Sequence, residues 1–267
     1  MKKYYTLFTG FIVSAVVLFA SNALASDILT IEGLASGTAG VTLDSSPVVT
    51  AILSQPGMYG GHTYTGWSFL VQDGTGSLDV FASAASLTSV DPGYTPTVGD
   101  VINLTGTYSP FHQIPEMATL TAFSKVGTAI APGPVIQTIP TLNQATLPLS
   151  TAGHLIEVDN VTISGTPTTF PNYAGGNVSY TITDGSANSM VLYDWVTSYS
   201  TAASMGGTAV PTGLVDIIGF DSVFTSGVNS TAEFTPIGVI SVPEPTTMGL
   251  CGAAGLLAFI FRLRRKA

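Results

Sequence analysis

Positive charge is scarce in this chain. It holds seven Lys and Arg in 267 residues. Six of them stand at the ends: Lys2, Lys3, Arg262, Arg264, Arg265 and Lys266. Between residues 26 and 241 there are 15 acidic residues and a single cation, Lys125, a net charge near −14 where the whole chain carries −9. A phosphate backbone is bound by Lys and Arg that displace its counterions. The body has almost none, so nucleic acid is not an expected partner. Cysteine is equally sparse. Cys251 is the only one, so no disulfide staples the body even in a compartment that would permit it. Lys and Glu, the good helix formers, are rare, while Thr, Ser and Gly abound, a composition of strands and turns. Val, Ile, Leu, Phe and Tyr remain plentiful enough for the chain to fold, and its length suits one large core or two modest ones.

Catalytic signatures are missing as well. There is no G-x-S-x-G, H-E-x-x-H, G-x-x-x-x-G-K or paired C-x-x-C. His62, His112 and His154 stand far apart in the sequence. The sequence therefore predicts no enzyme, no cofactor and no metal site.

The two ends are rich in signals. Lys2 and Lys3 precede an apolar run, Leu7 to Ala20, and Ala23-Leu24-Ala25 stands before Ser26. This order predicts a secretory signal peptide over residues 1–25, cut before Ser26 by the general secretion machinery. An uncleaved anchor is the alternative. At the other end "VPEP", Val242, Pro243, Glu244 and Pro245, precedes the uncharged run Met248 to Phe261. That run is short against the roughly 20 residues of a comfortable membrane helix. Arg262, Arg264, Arg265 and Lys266 follow and belong on the cytoplasmic side. The two prolines keep the tetrapeptide extended and present Glu244 just outside the membrane. Over residues 242–267 this three-part tail resembles the PEP-CTERM sorting signal. The resemblance implies export from a Gram-negative cell and recognition of Val242–Pro245 by exosortase, a membrane-embedded cysteine transpeptidase. It implies a transient inner-membrane anchor followed by delivery to the cell surface or extracellular matrix, where exopolysaccharide is a candidate partner.

Period-two patterning predicts strands at Val48–Leu53, Trp67–Gln72, Ser77–Ala82, Asp100–Gly106 and Met117–Lys125. A second set falls at Leu155–Ser164, Val178–Thr183, Ser189–Asp194, Leu214–Gly219 and Glu233–Ser241. The sets are copies of one plan. "FLVQDGTGSLDVF" from Phe69 matches "YTITDGSANSMVLY" from Tyr180, "GDVINLTG" parallels "GLVDIIG", and "EMATLTAFSKV" parallels "EFTPIGVISV". Recurrence at about 110 residues marks a duplicated domain rather than a solenoid. Expected boundaries are 26–128 and 129–241, the second beginning with the proline-bearing "GTAIAPGPVIQ". Five strands, a D-G turn and a later G-D strand resemble OB-fold domains of exported bacterial proteins. The expected class is all-β: two tandem OB-like five-stranded barrels, or alternatively one larger β-sandwich. The helix usual between strands three and four is not visible in "SAASLTSVDPGYTPTV". A helical turn or two is expected only near Leu142–Ala145.

Asp73-Gly74 and Asp184-Gly185 read as tight turns, and Glu157 and Asp159 share one face of a strand and should face water. The one binding signal is aromatic. Tyr59, Tyr64 and Trp67 surround "YGGHTYTGW", and Phe170, Tyr173 and Tyr180 occupy the corresponding stretch of the second repeat. Flat rings with little charge suit sugars, although Trp67 and Tyr180 also fit a core. The leading expectation is a structural or adhesive surface protein. A carbohydrate-binding module is the alternative, and an OB-fold nuclease accessory a second.

Overall fold

Residues 24–59, 62–147, 151–171, 177–194, 205–226 and 229–241 are described in a computed structural model. In chain order the first part forms β1 (Leu24–Ser26), α1 (Ile28–Glu32), β2 (Thr38–Leu43), β3 (Val48–Ser54), the small hairpin β4 (Gly57–Tyr59) and β5 (His62–Tyr64), β6 (Gly66–Gln72), β7 (Ser77–Ser83), α2 (Ala84–Val90), β8 (Asp100–Tyr108) and β9 (Glu116–Thr128). The second part forms β10 (Val135–Ile136), α3 (Ile139–Leu142), β11 (Ile156–Ser164), β12 (Val178–Thr183), β13 (Ser189–Asp194), β14 (Val215–Ser226) and β15 (Asn229–Ser241).

Each part closes on itself. β3 runs antiparallel to β6 and β6 to β7; β7 runs parallel to β9, β9 antiparallel to β8, and β8 returns to β2 and β3. The second part repeats this order: β11 with β12, β12 with β13, β13 parallel to β15, β15 with β14, and β14 back to β11. Both copies are OB-like, and the class is all-β. Among the described residues no strand of one ring pairs with the other, so each ring is completed by its own strands.

Period two explains the cores. Along β8 alternate residues from Asp100 to Tyr108 are buried, so Ile102 and Leu104 point inward. Phe69, Val71, Leu78, Val80 and Met117 join them in the first core; Ile156, Val158, Tyr180, Ile182, Leu192, Ile217 and Phe234 build the second. Five apolar strands without cysteine suffice because each barrel seals its own interior.

Three expectations need correction. A helix does lie between strands three and four: α2, within the stretch read as helix-free. Its seven residues carry two apolar anchors three apart, Leu87 in the core and Val90 against it, too few to print a helical period. Ser83 makes up for the weak propensity by accepting the Ser86 N–H at 3.0 Å as N-cap. The turn expected near Leu142–Ala145 lies upstream, as α3, with Pro140 in its first turn. β14 runs on to Ser226, because it zips against β15 down to Ser226↔Asn229. β2 escaped the reading altogether. Gly40, at φ +70, sits at a bulge between Ala39 and Val41 and breaks its alternation.

A third apolar cluster joins the two rings. Ala51, Leu53 and Leu70 on the outside of the first barrel meet Ile114, Leu147, Ala152 and Leu155, and Phe220 and Val223 of β14. β6 therefore buries both its faces, which is why "FLV" reads as an uninterrupted apolar run.

Candidate functional site

The outer face of β6, β7 and the start of β9 carries a cavity of about 250 Å³. Leu53 and Ser54 come from β3, Tyr64 from the hairpin, Ser68 from β6, Asp79 and Phe81 from β7, Phe111 and Ile114 from the β8–β9 loop, Glu116 from β9 and Phe220 from β14. The pleat dictates this set. Leu78 and Val80 fill the barrel, so Asp79 and Phe81 point out. Asp79 and Glu116 are register partners across the parallel β7–β9 pair, so their carboxyl groups share one wall.

Asp79 is 8% exposed. The Ser68 hydroxyl donates to its two oxygens at 2.9 and 3.1 Å. Burial pushes its carboxyl well above the usual range, against the pull of Ser68 and of the Phe69 and Val80 N–H groups. Glu116 is pushed up too, first by burial and then by the charge of Asp79. Ser54 is 1% exposed, and its hydroxyl has no hydrogen-bond partner.

The loop wall is fixed from the second barrel. His112 and Gln113 adopt φ of 51° and 63°. The Val223 N–H donates to the His112 carbonyl at 2.9 Å, and the Leu147 N–H donates to Gln113 Oε1 at 3.0 Å. Phe111 stacks on His112, ring centroids 4.1 Å apart.

Of the residues singled out by sequence, Tyr64 lines this cavity. Trp67 is half-buried against the first core, and only the backbone of Tyr59 is described, paired with His62. Phe170 and Tyr180 are core residues in edge contact at 5.3 Å. Glu157 and Asp159 gain a third neighbour, Asp216, with carboxyl oxygens within 4.8 Å. A bulge between Val158 and Val161 sets them there, and Asp216 accepts the Asn160 N–H at 2.9 Å. Ala25 and Ser26 lie in β1. Ala23, Tyr173, Val242, Pro243, Glu244, Pro245, Arg262, Arg264, Arg265 and Lys266 fall outside the described residues. Among the described residues no helix is long and apolar enough to cross a membrane.

Sequence reasoning passed over Asp79, Glu116, Ser54 and Phe220. A signal was present for Asp79: a charge inside the apolar strand "SLDVF" has to face away from the barrel. Phe220 had none, since it arrives from the other repeat.

Several solved structures are similar in outline. One is a murine DNA-binding protein bound to double-stranded DNA, 15% identical, covering 75% of this chain and all of that one, with a TM-score of 0.36. Another is a replication protein A heterotrimer bound to single-stranded DNA, 12% identical, covering 82% of this chain and 53% of that one, TM-score 0.36. A third is the p204 HINb domain, 11% identical, covering 73% and 96%, TM-score 0.34. Likenesses this distant carry no argument about ligand or activity. No curated protein matches the chain. Residues 241–266 match the PEP-CTERM protein-sorting motif, the C-terminal signal of exosortase-sorted export in Gram-negative bacteria.

Proposed function

We propose that this is a non-enzymatic component of the cell surface or extracellular matrix, and that its first OB-like barrel holds exopolysaccharide in the Asp79–Glu116 cavity. One observation carries the reading. The cavity opens on the second and third barrel strands, between the loop joining strands one and two and the loop joining four and five. That is the side on which OB-type barrels take extended ligands. Its rings suit the apolar face of a sugar, while the −14 body disfavours a phosphate backbone. Asp79 and Glu116 stand on one wall in strand register. Glycoside hydrolysis instead needs two carboxyl groups flanking the scissile bond, so the arrangement favours holding a glycan over cutting it. After processing, the sorting tail leaves the barrels outside the inner membrane, where such a polymer is met.

Two measurements test this. Deleting residues 242–267 abolishes surface delivery; normal delivery of the shortened chain refutes the sorting step. The exported protein is retained on a gel of the organism's surface polysaccharide, and Phe81→Ala, which trims a ring already 41% exposed, releases it without unfolding the barrel. Equal retention of wild type and variant removes the cavity from the reading.

A further inference from the structure

The cavity combines features that a neutral sugar does not account for. Two carboxyl groups are set side by side in a largely hydrocarbon pocket with no cation among the described lining residues. The lining supplies no Lys, Arg or His. The body's only lysine, Lys125, is committed elsewhere, 2.6 Å from Asp100. Two carboxylates side by side repel, and beyond the hydrogen bonds that Asp79 accepts from Ser68 a nearby opposite charge is what would stabilise both in the charged form. Among the described residues no cation lines the cavity to supply that charge. Ser54 makes the same point with a hydroxyl: it is buried in the wall of the cavity, and its donor and acceptor go unused.

We infer that the cavity takes a glycan residue carrying a free amino group, its ammonium between Asp79 and Glu116, its hydroxyl on Ser54 and its ring against Phe81 and Tyr64. The inference rests on the reading of this face as an exopolysaccharide site and names the sugar it selects. An ammonium brings the missing charge and three donors. Tyr64, Phe81, Phe111 and Phe220 line the cavity, and an aromatic face attracts a cation. A divalent metal fits less well, since calcium takes six to eight oxygen ligands. Here two carboxyl groups and two serine hydroxyls are available, and the Ser68 hydroxyl is already spent on Asp79. About 250 Å³ falls below the roughly 300–1,000 Å³ of drug-sized sites, which suits one sugar residue. The acidic body also steers cationic polymers toward the cavity.

Isothermal titration of the full exported chain at pH 7.5 decides the matter, with glucosamine, glucose, N-acetylglucosamine and n-butylamine as probes. Glucosamine binds at least about tenfold tighter than glucose or N-acetylglucosamine, one charged hydrogen bond being worth roughly that factor. n-Butylamine, lacking hydroxyls, binds several-fold more weakly than glucosamine. Glu116→Gln brings glucosamine down to the level of glucose. Ser54→Ala removes an unpaired buried hydroxyl, so the fold keeps or gains stability, while glucosamine loses affinity and n-butylamine does not; this variant stands if Glu116→Gln fails to fold. Glucose equal to glucosamine overturns the amino-sugar inference and leaves the glycan reading intact. n-Butylamine equal to glucosamine overturns the glycan and leaves a site for an amine side chain. No binding by any probe overturns both.

Discussion

Lys125 Nζ stands 2.6 Å from Asp100 Oδ1 across the β8–β9 pair, and it is the one ion pair found among the described residues. The lysine side chain is 40% exposed and the aspartate side chain 3%. Asp100 also accepts the Tyr94 hydroxyl at 2.9 Å and the Thr97 N–H at 3.2 Å. This carboxylate thus anchors the segment leading out of α2 to the start of β8. Lys125→Met removes the cation and leaves the buried acid with neutral donors only. A loss of about 1–2 kcal/mol is expected, between the value of an exposed pair and that of a buried one. Chemical denaturation of both proteins checks it. The difference should shrink in high salt, because half of the pair is open to solvent.

Asp73 holds more than its own turn. Its Oδ1 accepts the Thr75 N–H and hydroxyl and the Gly76 N–H, at 2.7, 2.6 and 3.0 Å. Its Oδ2 accepts the Ser45 hydroxyl and the Ile28 N–H, at 2.6 and 3.0 Å. In the second repeat the Asp184 carboxylate accepts, among the described residues, from Ser186 and Asn188 within its own turn. Asp73→Ala therefore unties the start of α1 and the β2–β3 connection together with the turn. It should cost about 2–3 kcal/mol, clearly more than Asp184→Ala. Paired thermal melts settle the order.

These two aspartates mark what the sequence could tell. The D-G pairs and the period-two strands were legible because each is a local pattern, and the duplication because those patterns recur in order; all ten expected stretches hold strands, with β8, β9, β14 and β15 running beyond the bounds that alternation gave them. Asp73's reach to Ile28 and Ser45 was not, since a hydrogen bond across 45 or 28 residues leaves no local trace. The candidate site was half legible for the same reason. The aromatic hairpin could be read and delivered Tyr64, while the Asp79–Glu116 pair depends on a parallel register 37 positions apart. Phe220 joins it only because the two barrels pack together.

That packing has a sharp point of contact. Gly153, at φ +70, lies where a Cβ would fall 2.8 Å from the Ser77 carbonyl oxygen and 3.2 Å from Leu78 Cα. Both neighbours are backbone and cannot step aside. Gly37 has a similar φ, +86, with nothing near it. Gly37→Ala should cost about 1 kcal/mol for the left-handed backbone alone. Gly153→Ala adds a clash to the same penalty and should cost about 2–4 kcal/mol. Calorimetry should show the Gly153 variant melting several degrees below the Gly37 variant. Equal melting temperatures would show that residues 151–155 do not press on β7.

Buried acids give the fold an acidic optimum. Asp194 is fully buried, both its carboxyl oxygens lack a hydrogen-bond partner, and burial pushes it up to about 7. Glu32 is raised to about 7 by burial and then by Asp73, and Asp221 to about 6 by burial. A carboxyl raised in the folded state binds its proton more tightly there than in the unfolded chain. Its contribution is whole below the unfolded value near 4 and is lost as pH rises to the folded value, by up to about 1.4 kcal/mol per pH unit for each group. Asp73 and Asp184 work in the opposite sense. Both are held below the usual range, Asp73 by its Ser45, Thr75 and Ile28 hydrogen bonds against burial, and Asp184 chiefly by Asn188. Their support is lost as pH falls below about 4. Stability should therefore peak near pH 4–5 and decline steadily to pH 7, where an ordinary acidic protein is close to its maximum. Asp194→Asn removes one of the declining contributions. It should leave the denaturation midpoint nearly unchanged at pH 4 and raise stability by about 2 kcal/mol at pH 8. A variant that gains equally at both pH values would show that Asp194 is already charged in the folded protein.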